Sequence, residues 1–336
     1  MTGDTAPRRS LDSQDTAPNS SPPSHTLGGL NIRDLEEQTA HEKSLSDTSD
    51  TADKEDGGQA NVNYVHVKVT KPQFIVILVG LCLSIFLGSL DQTIVAPALP
   101  KISSDFNALS NASWVGTAYL LTSTALQPLF GKLSDIFGRL AMLLSALAAF
   151  LIGSALCGAA QSMTWLIIAR AVTGIGGAGA MAMAFIIIAD ITSLKDRPRY
   201  IGLISSMFGL SSVLGPILGG VLTDRATWRW CFYINLPICA VTIISAVIFI
   251  RIPTTGDSFK EKIKRIDFVG SILVVGALVM ILLALSWGGH EYPWDSARVL
   301  ALLIVGIFVL GGFVVYEFYI PPEPIVIPAM FKIRNV

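Results

Sequence analysis

The sequence predicts an all-α integral membrane protein, and three observations carry that expectation. Half of the 336 residues are hydrophobic and only 15% are charged, where a soluble domain is nearer a quarter charged. The apolar residues gather into eight runs, each close to the ~20 residues that a helix needs to cross a hydrocarbon core. Lys and Arg gather between the runs, heavily on alternate sides. The runs are about 74–98, 112–130, 140–160, 164–189, 201–223, 231–250, 268–286 and 298–319. Backbone polar groups in lipid must be satisfied within their own segment, so these runs are read as helices, spans 1 to 8.

Residues 1–70 precede the first span. They are rich in Ser, Thr, Asp, Pro and Gly, and twelve of the chain's 25 acidic residues lie ahead of Lys68. Such a segment cannot bury enough apolar surface to offset the entropy of ordering, so a disordered cytoplasmic tail is expected. Ser44, Ser46 and Ser49 stand beside acids there and are candidate phosphorylation sites; an unmodified solvating tail is the plainer reading. From the polar start no cleavable signal peptide is expected. Residues 71–250 then hold six spans, 251–267 form a charged cytoplasmic linker, and 268–319 hold spans 7 and 8. Residues 320–336 begin another cytoplasmic loop.

Orientation follows from the basic residues. With the tail inside, the inner segments carry Lys68, Lys71, Lys132, Arg139, Lys195, Arg197, Arg199, Arg251, Lys260, Lys262, Lys264, Arg265, Lys332 and Arg334, fourteen in all. The outer segments carry only Lys101, Arg225, Arg229 and Arg298. That bias sets the topology. Trp114, Trp165, Trp228, Trp230, Trp287 and Trp294 fall at or beside the outer ends, where indoles anchor at the headgroup level. Asn111-Ala112-Ser113 is an N-glycosylation sequon on the outer side, set so close to span 2 that the modifying enzymes are not expected to reach it.

Several classes of function drop out. The net charge of -1 gives no basic surface for a nucleic acid. Cys82, Cys157, Cys231 and Cys239 lie in or at the edge of apolar runs and fit neither a zinc site nor a disulfide framework. His25, His41, His66 and His290 show no metal or catalytic spacing with acids. No enzyme activity and no cofactor or metal are expected.

Three stretches carry chemistry. The first is Gly131-Lys132-Leu133-Ser134-Asp135-Ile136-Phe137-Gly138-Arg139, read as a tight cytoplasmic turn between spans 2 and 3. Gly131 and Gly138 permit unusual backbone angles, and Lys132 and Arg139 hold the turn out of hydrocarbon. Asp135 adds nothing to that topology signal, so a further role is expected of it. The second is a pair of ionisable residues inside spans: Asp91 in span 1 and Arg170 in span 4. Counted from the span ends at 1.5 Å per residue, they lie within ~6 Å of equal depth. A buried acid and base at matched depth can offset each other's desolvation, and intramembrane charges are functional candidates. A purely structural ion pair, or two side chains that snorkel separately, is the alternative. The third stretch is span 5, with Gly202, Ser211, Gly215, Pro216, Gly219 and Gly220. Small residues allow close helix approach and Pro216 permits a bend.

These stretches also bear a resemblance. Gly131–Arg139 resembles the loop signature between helices 2 and 3 of the major facilitator superfamily, with Ile136 and Leu140 where many members carry a further Lys or Arg. Leu90–Pro100 resembles the helix 1 signature of the fourteen-helix drug:proton antiporters of that superfamily. Arg170-x-x-x-Gly174 resembles the helix 4 signature, with Thr173 where Gln is usual. The Gly202–Gly220 pattern resembles the antiporter motif of exporters, with Ser211 replacing its middle glycine. Trp228-Arg229-Trp230 and Tyr233-Ile234-Asn235-Leu236-Pro237 look like the lead-in to helix 6.

The resemblance implies a six-helix N-terminal half, built as a 3+3 inverted repeat, followed by the two helices inserted between halves in that branch. It implies a cytoplasmic gate at Gly131, Asp135, Gly138 and Arg139, and proton coupling at Asp91 and Arg170. The implied function is proton-coupled efflux of small, largely apolar molecules such as drugs or toxins. The implied partners are membrane lipid, the small-molecule substrate and protons. Met330-Phe331-Lys332 resembles the lead-in to helix 9, so a missing C-terminal half is a further expected partner. A plasma-membrane location follows most directly, with the vacuolar membrane as alternative. Two other functional readings stay open: a vacuolar amino-acid transporter of the same superfamily, and a non-transporting scaffold or half-transporter partner.

Overall fold

The computed structural model describes residues 70–250, 259–289 and 291–319. The tail expected over 1–70 (but for Thr70), the first half of the 251–267 linker and the 320–336 stretch lie outside the described residues. No β-strand occurs among the described residues.

The first span is α1 (Lys71–Ile94), continued by a 3-10 turn (Ala96–Ala98) and a short α2 (Leu99–Asp105). Pro72 stands in the first turn of α1, where its missing N–H costs nothing, and Pro97 and Pro100 open the next two pieces. The long helices that follow are α3 (Ala112–Phe137), α4 (Arg139–Gly158), α5 (Met163–Ile191) and α6 (Arg197–Arg225). A four-residue α7 (Trp230–Tyr233) leads into α8 (Asn235–Phe249). After the short α9 (Phe259–Lys264) come α10 (Phe268–Trp287) and α11 (Ala297–Tyr319).

Eight spans were expected, and seven of these helical segments are long and apolar enough to cross a membrane. The exception is α3. It is 26 residues long, but Thr117, Thr122, Ser123, Thr124 and Gln127 dilute its apolarity, and Lys132 and Asp135 occupy its last turns. Its polar groups are met by protein: Thr122 Oγ1 donates to the Ala171 carbonyl of α5 at 3.0 Å.

Helix α5 is the hub. A Cβ on its Gly174 would come within 2.6 Å of the Tyr119 carbonyl oxygen of α3. One on Gly176 would come within 2.6 Å of the Ala146 carbonyl oxygen of α4. The glycine-rich centre of α5 therefore packs backbone to backbone against both neighbours, as small residues allow in membranes. Two apolar clusters result. One joins Leu81, Ile85, Leu147, Phe150, Met183 and Ile187. The other joins Ile94, Ile102, Cys157, Leu166, Trp228 and Phe232. Along α1 and α5, Asp91 and Arg170 fall between the two.

Large apolar side chains face outward on the remaining helices, for example Ile217, Val241, Ile272 and Phe308. That is the pattern of helices bathed in hydrocarbon. The four cysteines are free and, apart from half-buried Cys82, fully covered, as small packing residues should be. The protein is thus an integral, multi-pass membrane protein.

The Lys/Arg bias gives a direct test of orientation. Lys195 lies exposed between α5 and α6, and Asn111 lies exposed ahead of α3. In intact cells an impermeant thiol reagent should label Asn111→Cys and leave Lys195→Cys unlabelled until the membrane is permeabilised. The reverse pattern would invert the topology.

Candidate functional site

The two intramembrane charges meet. Arg170 Nη1 donates to Asp91 Oδ2, and the side chains are 1% and 0% exposed. The other carboxylate oxygen, Asp91 Oδ1, accepts from Asn235 Nδ2 at 2.9 Å, and Asn235 is fully buried. Arg170 is held on three further sides. Its Nε donates to the Val115 carbonyl at 3.0 Å. Its guanidinium carbon lies 4.4 Å from the Tyr119 ring centroid and 5.8 Å from that of Phe232. Tyr119 is itself fixed, donating its hydroxyl to the Gly88 carbonyl of α1 at 2.8 Å.

This arrangement makes chemical sense of a costly pair. Two ions removed from water are tolerable only where the remaining donors and acceptors are met. Aromatic faces add cation–π attraction that strengthens on desolvation. Helices α1, α3, α5 and α7 close over Arg170. The sequence spacing gave the pair its depth, but it did not single out Asn235. The signal was present: an Asn inside an otherwise apolar segment, ahead of Pro237, in a stretch already notable for its family likeness.

The reading of Gly131–Arg139 needs one correction. It was read as a nine-residue turn bounded by two permissive glycines. Instead α3 runs on through Gly131 to Phe137, and Gly138 alone separates it from α4. Gly131 is helical and needs no special backbone angle. Gly138 does, at φ 96°, a region that side-chain-bearing residues avoid. The helix can carry Lys132 and Asp135 because its end lies at the membrane edge, where charged side chains reach water. Arg139 Nη1 bonds to Asp135, one turn back, and to Ser134 Oγ at 2.7 Å. Arg139 Nε donates to Asp190 Oδ2 at 2.9 Å. Asp190, in the last turn of α5, is a member that the sequence reading missed. It sits directly after an apolar run and reads as an ordinary end of a span. Beside it, Arg197 Nη2 donates to the Ala189 carbonyl at 2.7 Å. Asp135 is more than half exposed, Asp190 over a third. Ion pairs this wet are worth little and break easily.

The six positions singled out on span 5 divide. Ser211, Gly215 and Gly219 recur every four residues and form one face of α6. A Cβ on Gly215 would collide with Thr93 Oγ1, and one on Gly219 with the Ile94 carbonyl oxygen. Thr93 Oγ1 donates to the Ser211 carbonyl at 3.0 Å. So this face packs directly on α1, two residues beyond Asp91. Gly202 and Gly220 have open space where a Cβ would go, and Pro216 is exposed. Gly219→Ala should therefore cost about 1–3 kcal/mol through overpacking, read as a lower melting temperature in detergent. Gly220→Ala and Gly202→Ala should melt close to the parent. Equal melting of all three would mean that α6 does not pack this way.

At the outer end one tryptophan departs from expectation. Trp228 does not face outward as an anchoring indole would; it is 1% exposed. Its Nε1 donates to Asp105 Oδ2 at 2.9 Å, its ring meets Phe106 edge-on, and Arg229 covers it at 4.3 Å. Arg229 Nη2 also donates to the Ala160 carbonyl at 2.9 Å. Trp165, Trp230 and Trp294 are exposed, as interfacial indoles should be.

Comparison with known proteins gives a consistent picture. Residues 81–325 match the family described as Major Facilitator Superfamily. The MFS-type efflux pump MFS1 of Arthroderma benhamiae is 44% identical over 272 residues, covering 80% of this chain and 51% of that protein. The MFS-type transporter phomT of Diaporthe leptostromiformis is 45% identical over 267 residues, covering 78% of this chain and 45% of that protein. The efflux pump dotC of Dothistroma septosporum is 43% identical over 258 residues, covering 77% of this chain and 44% of that protein. The chain spans about half the length of the curated relatives it matches.

Proposed function

Since the chain belongs to the major facilitator superfamily, we propose that it exports small, largely apolar molecules across a membrane in exchange for protons. The observation that carries this reading is the buried Asp91–Arg170 pair. A titratable carboxyl with a fixed cation inside a membrane has two electrostatic states, and conformations that treat those states differently are populated differently. A proton gradient can then bias which side is open. Export rather than import is supported by the names of the relatives and by the likeness of α6 to the exporters' motif. Plasma membrane is the proposed location, with membrane lipid around it.

In this reading Gly131, Asp135, Gly138 and Arg139 act as the cytoplasmic gate, now with Asp190 as its third ionic member. Asp135→Asn keeps volume and removes charge. Export by the full-length protein is expected to fall several-fold with insertion and melting temperature unchanged, and Asp190→Asn should act in the same direction. Normal export by both variants would reduce the stretch to a topology signal.

The function itself is tested in liposomes. A fluorescent apolar cation or toxin is loaded, a pH gradient is imposed, and efflux is followed with and without a protonophore. Efflux that requires the gradient supports antiport. Efflux that ignores it removes the proton from the mechanism.

A further inference from the structure

The pair at the centre has a third member, and the amide of Asn235 is asymmetric in a way that the ion pair does not explain. Its Nδ2 is used on Asp91 Oδ1 at 2.9 Å. Its Oδ1 is buried and meets no hydrogen-bond partner among the described residues. A buried acceptor left unmet is costly, so the present orientation is held by what Nδ2 gains. That gain is a bond to a charged acceptor, about twice as strong as a neutral one. Turned over, the amide would set its oxygen against the carboxylate oxygen, which repels.

The balance reverses once Asp91 takes a proton. The acid then carries an O–H that needs an acceptor in a site with no exposure. Rotation about the last side-chain torsion of Asn235, a broad two-fold torsion, brings Oδ1 to that proton. No helix has to move. We propose that Asn235 is a positioning residue for proton exchange at Asp91: its amide donates to the carboxylate and turns to accept from the carboxylic acid. The proton arrives from water on one side and leaves to water on the other; Asp91 binds and releases it, and Asn235 keeps both forms hydrogen-bonded. The titratable and charged groups facing Asp91 are Arg170 from α5, Tyr119 from α3, Cys157 from α4 and Cys231 from α7. Arg170 balances the charged form; the Asn235 amide can serve both. This inference rests on the reading of Asp91 as the proton-carrying group.

The sign of the effect follows. In Asn235→Leu both forms lose a bond, and the charged form loses the stronger one. The midpoint of Asp91 protonation should rise by about one pH unit, a tenfold gain in proton affinity. The measurement is an infrared difference titration of this chain in liposomes, with the Asp91 carboxyl band identified by its loss in Asp91→Asn. Asn235→Ser, which retains a hydroxyl, should return part of the shift. A second readout needs no substitution: with asparagine side chains carrying isotope-labelled carbonyl carbon, the labelled amide band should shift at the same midpoint as the Asp91 band. An Asp91 band that titrates with the amide band unmoved overturns the role of Asn235 and leaves proton binding at Asp91 intact. An Asp91 carboxyl that never titrates overturns both.

Discussion

Asp91→Asn abolishes export driven by a pH gradient and spares substrate binding: that is the largest functional effect expected of any single change here. The substitution removes the titratable group but keeps its shape. The new amide still offers an oxygen to Arg170, which keeps its Val115 carbonyl and its two aromatic faces. Folding should therefore survive while the two electrostatic states collapse into one. The measurement is proton-driven counterflow of the full-length protein in liposomes, normalised to folded protein. Binding is followed separately by quenching of a fluorescent substrate. A purely structural pair makes a different forecast: less folded protein, with normal dependence on the pH gradient in what remains. Unchanged gradient dependence would sink the coupling role.

Arg170→Leu should do the larger damage to stability. It leaves the Asp91 carboxyl in a site of 0% exposure, with one amide donor and no countercharge. Removing one member of a buried pair costs about 3–5 kcal/mol, so the yield of folded protein and the melting temperature should fall sharply. Arg170→Lys should recover only part of the loss. An ammonium has no planar fork to reach Asp91 and the Val115 carbonyl together, and it stacks less well on Tyr119. The double change Asp91→Asn with Arg170→Leu removes both charges and should melt above Arg170→Leu alone, yet remain uncoupled. If Arg170→Leu melts like the parent, the pair contributes nothing to the fold.

Much of this was readable from the chain. The apolar runs placed every long helix, because a membrane forces each span to be continuous and internally bonded. Matched depth placed Asp91 and Arg170 together, because helical rise is constant. What escaped was set by neighbours. Gly131 looked like a turn residue, but α3 continues through it because Lys132 and Asp135 can reach water from a helix end. Trp228 looked like an interfacial anchor, but Asp105 offers its indole an acceptor inside. Asp190 was silent, because it meets its partner Arg139 from 51 residues away; Asn235 left a local trace as a polar residue in an apolar segment, but nothing nearby in the chain names Asp91, 144 residues away, as its partner.

The single residue between α3 and α4 has a mechanical consequence. A long loop would let two helices slide, tilt and twist independently. Gly138 offers only its own two torsions, so α3 and α4 are coupled like a jointed arm with one elbow. Arg139 sits immediately past that elbow and grips Asp135 on one arm and Asp190 on the adjacent α5. In the gate proposed above, releasing the arginine would not loosen a segment; it would free one joint. Helix α3 would then swing about Gly138, and the swing would grow with distance along the helix. Its largest travel would fall toward the far end, around Val115 and Tyr119, which are the residues that cradle Arg170.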